Sequence, residues 1–143
     1  IYVSVGFCFA VVLPLPLLIG AVLLFSYLIG LTYVAKQENL GEVKNLWPML
    51  FLAAPVIYGG VLSSEAWPTL AYWVIFVVAI VAALWLVRRR QSGDIPRAVV
   101  SLIAGMSLLD AILISGAGEP GLALFAVLGF ALTLGLQRVV SGT

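Results

Sequence analysis

The chain carries no charge before Lys36, and beyond it uncharged, largely apolar runs recur over 45–64, 66–87, 98–109 and 120–137. About 20 such residues suffice for a helix to cross a hydrocarbon core about 30 Å thick. In that core every backbone N–H and C=O has to be satisfied within the structure, which a helix does by itself. Hydrophobic residues make up 64% of the 143 and charged ones 9%, a balance that soluble domains do not have. The expected fold class is therefore all-α: a polytopic membrane helical bundle of about five full spanning helices plus a truncated N-terminal one. Residues 1–143 form a single transmembrane helical domain, with almost nothing left over for a soluble one.

Residues 1–13 are apolar but too short to span, and they run into Leu13-Pro14-Leu15-Pro16, which reads as a helix end followed by a tight turn. The start at Ile1, in mid-run and without a basic leader, suggests the C-terminal part of a longer protein. Residues 17–35 supply about 28 Å of helix, closed by Lys36. Trp47-Pro48 opens a shorter span over 49–62, where Pro55 and Gly59-Gly60 predict a kink or an unwound end. Trp67-Pro68 repeats the entrance for 70–87, which stops at Arg88-Arg89-Arg90. Asp94 is placed to cap the next helix, 97–115, with Pro96 near its first position, and 121–136 is the last span. The small-xxx-small pair Ser101 and Gly105 predicts close helix packing.

Under this alternation, all seven basic residues fall in the 36–47 loop, the 88–97 loop or the C-terminus. The connectors at 14–16, 63–68 and 116–120 hold none, so the positive-inside rule places the basic side in the cytoplasm. The basic residues form no groove or stripe, and nucleic acid is not an expected partner. With no His and the single Cys8, zinc, haem and Ser-His-Asp or Cys-His constellations cannot be assembled from this chain. Cys8, within an apolar segment, reads as a small buried hydrophobe.

What remains is carboxylate and cation chemistry. Lys36, Glu38, Glu42 and Lys44 crowd into LTYVAKQENLGEVKN, and Glu38 and Glu42, four apart, would share one face of a helix. Two such carboxylates could hold Mg²⁺ while Lys36 and Lys44 face phosphates and the apolar bundle houses a lipid tail. The same residues fit a solvated juxtamembrane loop with i,i+4 partners. Tyr33 fits an interfacial anchor or the lining of a site below that loop. Asp110, in GMSLLDAILISG, is the one carboxylate deep in an apolar run; it is expected to point into the bundle, with Ser107 as a candidate partner, either as structural glue or as a site or proton-coupling residue.

The segment GLTYVAKQEN at a cytoplasmic helix end, and the later IPRAVVSLIAGMSLLDAILISGAGEPGLALFAVLGFALTLGLQRVVSGT, resemble the C-terminal half of UbiA-superfamily prenyltransferase-like proteins, particularly the EboC-like branch. The resemblance implies an intramembrane helical fold that binds Mg²⁺ and a polyprenyl diphosphate and moves the prenyl group to an aromatic or other lipid-soluble acceptor. The family's second acidic motif corresponds to 33–42, with Glu38 and Glu42 as metal ligands and Tyr33, Lys36 and Lys44 toward the diphosphate. Here that motif reads YVAKQENLGE, without Asp, and the NDxxD motif of the N-terminal half has no counterpart. The resemblance also implies a bacterial inner membrane. Two other readings stay open: a non-catalytic helical subunit of a larger energy-converting or photosynthetic complex, and a small transporter using Asp110.

Overall fold

The computed structural model describes residues 15–40 and 47–139, and among these it is helical with no strand. Helix α1 is Leu15–Leu40. A 3-10 segment, Trp47–Leu52, leads into α2, Ala53–Ser63; α3 is Trp67–Arg89, α4 is Asp94–Gly116 and α5 is Pro120–Val139. The expected all-α bundle is present: α1, α3, α4 and α5 are each long and apolar enough to cross a membrane, and Met49–Ser63 is a shorter apolar helix. Cys8 and the expected truncated span lie outside the described residues.

Two prolines set the helix entrances. Pro16 and Pro68 stand in the first turns of α1 and α3, where the missing N–H removes no intrahelical bond. The double-proline stretch therefore does not hold the helix off until residue 17, and α1 begins at Leu15. Pro55 explains why the third segment is divided. It cannot donate to the carbonyl four residues earlier, that of Phe51, and the chain up to Leu52 winds as a 3-10 helix instead. The Ser26 hydroxyl of α1 donates to that carbonyl at 2.8 Å. Gly59-Gly60 does not unwind α2; Gly59 leaves room for Trp73, whose Cδ1 would lie 2.8 Å from an added Cβ. The Trp73 indole N–H donates to the Val56 carbonyl at 2.8 Å and ties α3 to α2.

Helix α4 is the hub, packing against α1, α2, α3 and α5. Its direction is opposite to that of α1 and α3. Gly20 of α1 lies by Leu113 while Tyr27 meets Gly105 and Leu102. Thr69 and Ser115 share a buried hydrogen bond of 2.8 Å near one end of the α3–α4 pair, and Arg89 meets Asp94 at the other. The resulting bundle has a basic end, with Lys36, Arg88, Arg89, Arg90 and Arg97, and an opposite end with Glu65 and Glu119.

Polar bolts hold the interior. Apolar surface gains little by leaving lipid for a protein core, so helix association in a bilayer depends on close packing and hydrogen bonds. The fully buried Tyr27 hydroxyl donates to the Leu102 carbonyl at 2.7 Å and fits over Gly105, where a Cβ would come within 2.5 Å of Oη. Gly105 thus serves the close packing expected of it, whereas Ser101 donates to Arg97 of its own helix. Tyr72 donates to the Pro120 carbonyl at 2.9 Å, fastening the start of α5.

The hairpin between α3 and α4 departs from expectation. Asp94 does not cap α4: the cap residue is Gly93, in the left-handed region at φ 85°, and it makes no side-chain cap bond. The buried Asp94 carboxylate instead accepts from Arg89 Nε at 2.9 Å and Nη2 at 3.3 Å and from the Gln91 amide at 3.1 Å. The reason is the short reversal after Arg90, itself left-handed at φ 52°, which brings the end of α3 within reach of the first turn of α4. Arg89 also lies over the Trp85 ring, 4.9 Å from its centroid.

Outside, the bundle is as apolar as within. Phe125 is 71% exposed, Leu128 64% and Val78 61%, a surface that suits hydrocarbon and not water.

Candidate functional site

Two concave regions lie at opposite ends of the bundle. At the basic end, Phe25, Leu28, Ile29, Thr32, Tyr33 and Lys36 fall on one face of α1, at spacings of three and four. The 3-10 segment supplies Trp47 and Phe51, which meet edge to face at 5.5 Å and 87° and form the other wall. Between them is a trough of about 470 Å³. From Phe25 to Lys36 it runs about 16 Å along the helix axis, at 1.5 Å per residue. Thr32 donates to the Leu28 carbonyl at 2.7 Å, so its hydroxyl is satisfied within α1. One exposed cation, Lys36, therefore heads a slot lined almost entirely by hydrocarbon and aromatic rings.

Of the residues singled out in the sequence, the trough brings together Tyr33 and Lys36. Glu38 belongs to the last turns of α1, but its side chain is not among those described, and Glu42 and Lys44 lie outside the described residues. The described lining offers a cation and no carboxylate, and the two glutamates that the Mg²⁺ reading needs are not among the described side chains. Among the described residues no three acidic, His or Cys side chains come together.

The second concavity, of about 870 Å³, lies toward the opposite end. Pro16, Gly20 and Leu24 of α1, Tyr58 and Leu62 of α2, Asp110, Leu113 and Ile114 of α4 with Ala117 just past its end, and Ala126 of α5 contribute to its wall. Asp110 was expected to point into the packed interior, and it does not. The buried stripe of α4 runs through Ala98, Leu102, Gly105, Leu109 and Ile112. Asp110 is one position off it, in the row Met106, Asp110, Leu113 and Ala117, and so faces the groove. Ser107, the expected partner, makes no hydrogen bond to it and lies against Gly129 of α5.

The trough walls were not singled out in the sequence, although Phe25, Ile29, Thr32 and Lys36 form a row that helical spacing alone could have revealed. No sequence signal joins them to Trp47 and Phe51. No family model matches the chain, and no curated protein or solved structure is significantly similar to it.

Proposed function

We propose that this chain is an integral-membrane domain that holds a long-chain anionic lipid of the prenyl diphosphate class in the trough between α1 and the 3-10 segment, and that the binding serves prenyl transfer to a lipid-soluble acceptor. The observation that carries the reading is the shape of the trough: one cation above about 16 Å of apolar wall. A prenyl chain matches the wall and a diphosphate matches Lys36, with Lys44 as a second cation from the following connector. In transfer, the carbon–oxygen bond at the head of the prenyl chain breaks, the diphosphate leaves toward the lysines, and the allylic carbon bonds to the acceptor, whose displaced C–H or O–H proton passes to the departing diphosphate, where apolar walls exclude water. Glu38 and Glu42 are the residues proposed to hold Mg²⁺, which would supply charge neutralisation of the leaving group. By the positive-inside rule the proposal puts the 36–47 and 88–97 loops on the cytoplasmic side, with a bacterial inner membrane as the proposed setting.

The test uses the full chain in zwitterionic nanodiscs and geranylgeranyl diphosphate as probe. Saturable binding is expected, weakened at least tenfold by Lys36→Glu and by Ile29→Trp, which fills the trough, and weaker for geranylgeraniol. Equal binding of diphosphate and alcohol, unaffected by Lys36→Glu, would sink the proposal. Mg²⁺-dependent transfer that survives Glu38→Gln unchanged would remove Glu38 from the mechanism.

One observation favours the second reading, a helical subunit of a larger membrane assembly. Only 6% of the α5 span is buried, and Leu122, Phe125, Leu128, Leu132 and Leu136 are exposed along it. Detergent-corrected mass in mild extraction distinguishes the two: a discrete complex with other chains supports a subunit, and a lone chain does not.

A further inference from the structure

The groove around Asp110 lies at the other end of the bundle from the proposed diphosphate trough and is independent of it. Asp110 stands six positions before Gly116, the end of α4, which places it about 9 Å inside the helix at 1.5 Å per residue. Its side chain is too short to reach water from that depth as a lysine or arginine would. It makes no hydrogen bond or ion pair with any described residue. A carboxylate so placed costs several kcal/mol unless a cation meets it or a proton neutralises it.

The protein supplies no such cation nearby among the described residues. Among the described residues the charged side chains around this end are Glu65, Asp110 and Glu119, all negative, and the described basic residues belong to the opposite end. Beside Asp110 the groove of about 870 Å³ is in the range of sites for organic molecules. A bare metal ion finds only one carboxylate and no cluster of further ligands among the described residues. The rest of the wall is apolar, and Tyr58 adds an aromatic ring, a surface that favours an organic cation.

We infer that the groove between α1, α2 and α4 is a binding site for a lipophilic organic cation, an ammonium-type charge on an apolar body, with Asp110 as its counter-ion. Charge selects the ligand through Asp110, and the apolar wall, with Gly20 and Leu24 of α1 facing Leu113 of α4, takes its body.

The experiment is equilibrium binding of radiolabelled tetraphenylphosphonium to the full chain in zwitterionic nanodiscs. One saturable site per chain is expected, weakened at least tenfold by Asp110→Asn, retained within threefold by Asp110→Glu, and not displaced by neutral triphenylphosphine oxide. Ala117→Trp, an exposed position on the groove wall, is expected to abolish binding without touching the core. If Asp110→Asn fails to fold, by gel filtration and circular dichroism, Ala117→Trp and the neutral competitor decide the matter. Absence of saturable binding, equal binding by a folded Asp110→Asn, or equal competition by the neutral compound each overturns the inference. Val78→Ala, exposed and outside both concavities, is expected to leave this binding unchanged, and because the assay involves neither a diphosphate nor Lys36, failure here and failure of the diphosphate trough are read separately.

Discussion

Gly105→Ala and Tyr27→Phe should rescue one another, and the size of the rescue follows from the geometry. A Cβ on Gly105 would stand 2.5 Å from Tyr27 Oη but 3.6 Å from Cζ. The first distance demands movement, yet Tyr27 is fully buried, its ring 5.9 Å from that of Phe76. Overpacking of this kind costs about 1–3 kcal/mol. Displacing the hydroxyl also loses its bond to Leu102, on the order of 0.6 kcal/mol between membrane helices. Gly105→Ala alone is thus expected to lose about 2–3 kcal/mol. Tyr27→Phe keeps the ring and loses only the hydroxyl; the Leu102 carbonyl retains its own helical donor, so the loss is about 0.6–1 kcal/mol. With both changes the new methyl meets only ring carbon at an ordinary distance, and alanine is the better helix former by up to about 1 kcal/mol. The double variant should be at least as stable as Tyr27→Phe alone, a departure from additivity of about 2 kcal/mol. Reversible unfolding in SDS-containing mixed micelles, followed by far-UV circular dichroism, measures all four proteins. Additive losses, or a Gly105→Ala protein as stable as the parent, would refute the contact and with it the packing of α1 on α4.

Three further outcomes follow from single contacts. Ser26→Ala should lose about 1 kcal/mol by leaving the Phe51 carbonyl without its donor, and Pro55→Ala should remove that penalty by restoring an amide at the right position; the same unfolding assay compares the two backgrounds. Arg89→Ala should lower the melting temperature more than Arg88→Ala, because Arg89 pairs with the buried Asp94, and equal effects in a thermal shift assay would remove that pair from the account of the hairpin. Thr69→Val and Ser115→Ala should each destabilise, while the double variant recovers part of the loss because no hydroxyl is then left unpaired; a double variant that loses the sum of both in the same thermal assay contradicts this.

Legibility in the sequence varied with the kind of constraint. Pro48 and Pro68 mark helix entrances because a proline acts on its own backbone, and both Trp-Pro pairs open helical segments, whereas Pro16, which read as part of a turn, stands in the first turn of α1. Asp94 looked like a cap because only local spacing was visible, whereas its partner Arg89 reaches it through the turn of the hairpin. Of the candidate site, Lys36 and Tyr33 were legible as a charged and an amphipathic residue at the end of an apolar run. The aromatic wall of Trp47 and Phe51 was not, since it depends on how the 3-10 segment folds back against α1.

Length and apolarity are properties of the chain taken in one dimension, and a hydrocarbon layer of fixed thickness converts them directly into spanning helices. That much the amino-acid order determined alone, together with the division of charge between the two ends. Which face of each helix meets protein was decided only in three dimensions. In water an apolar stripe announces the core, but here both lipid and core are apolar, so no stripe distinguishes them. Small contacts make the choice instead: a tyrosine hydroxyl over Gly105, a tryptophan over Gly59, a serine on the carbonyl that Pro55 leaves without its helical donor. Their outcome turned Asp110 off the packed stripe of α4 and into a groove.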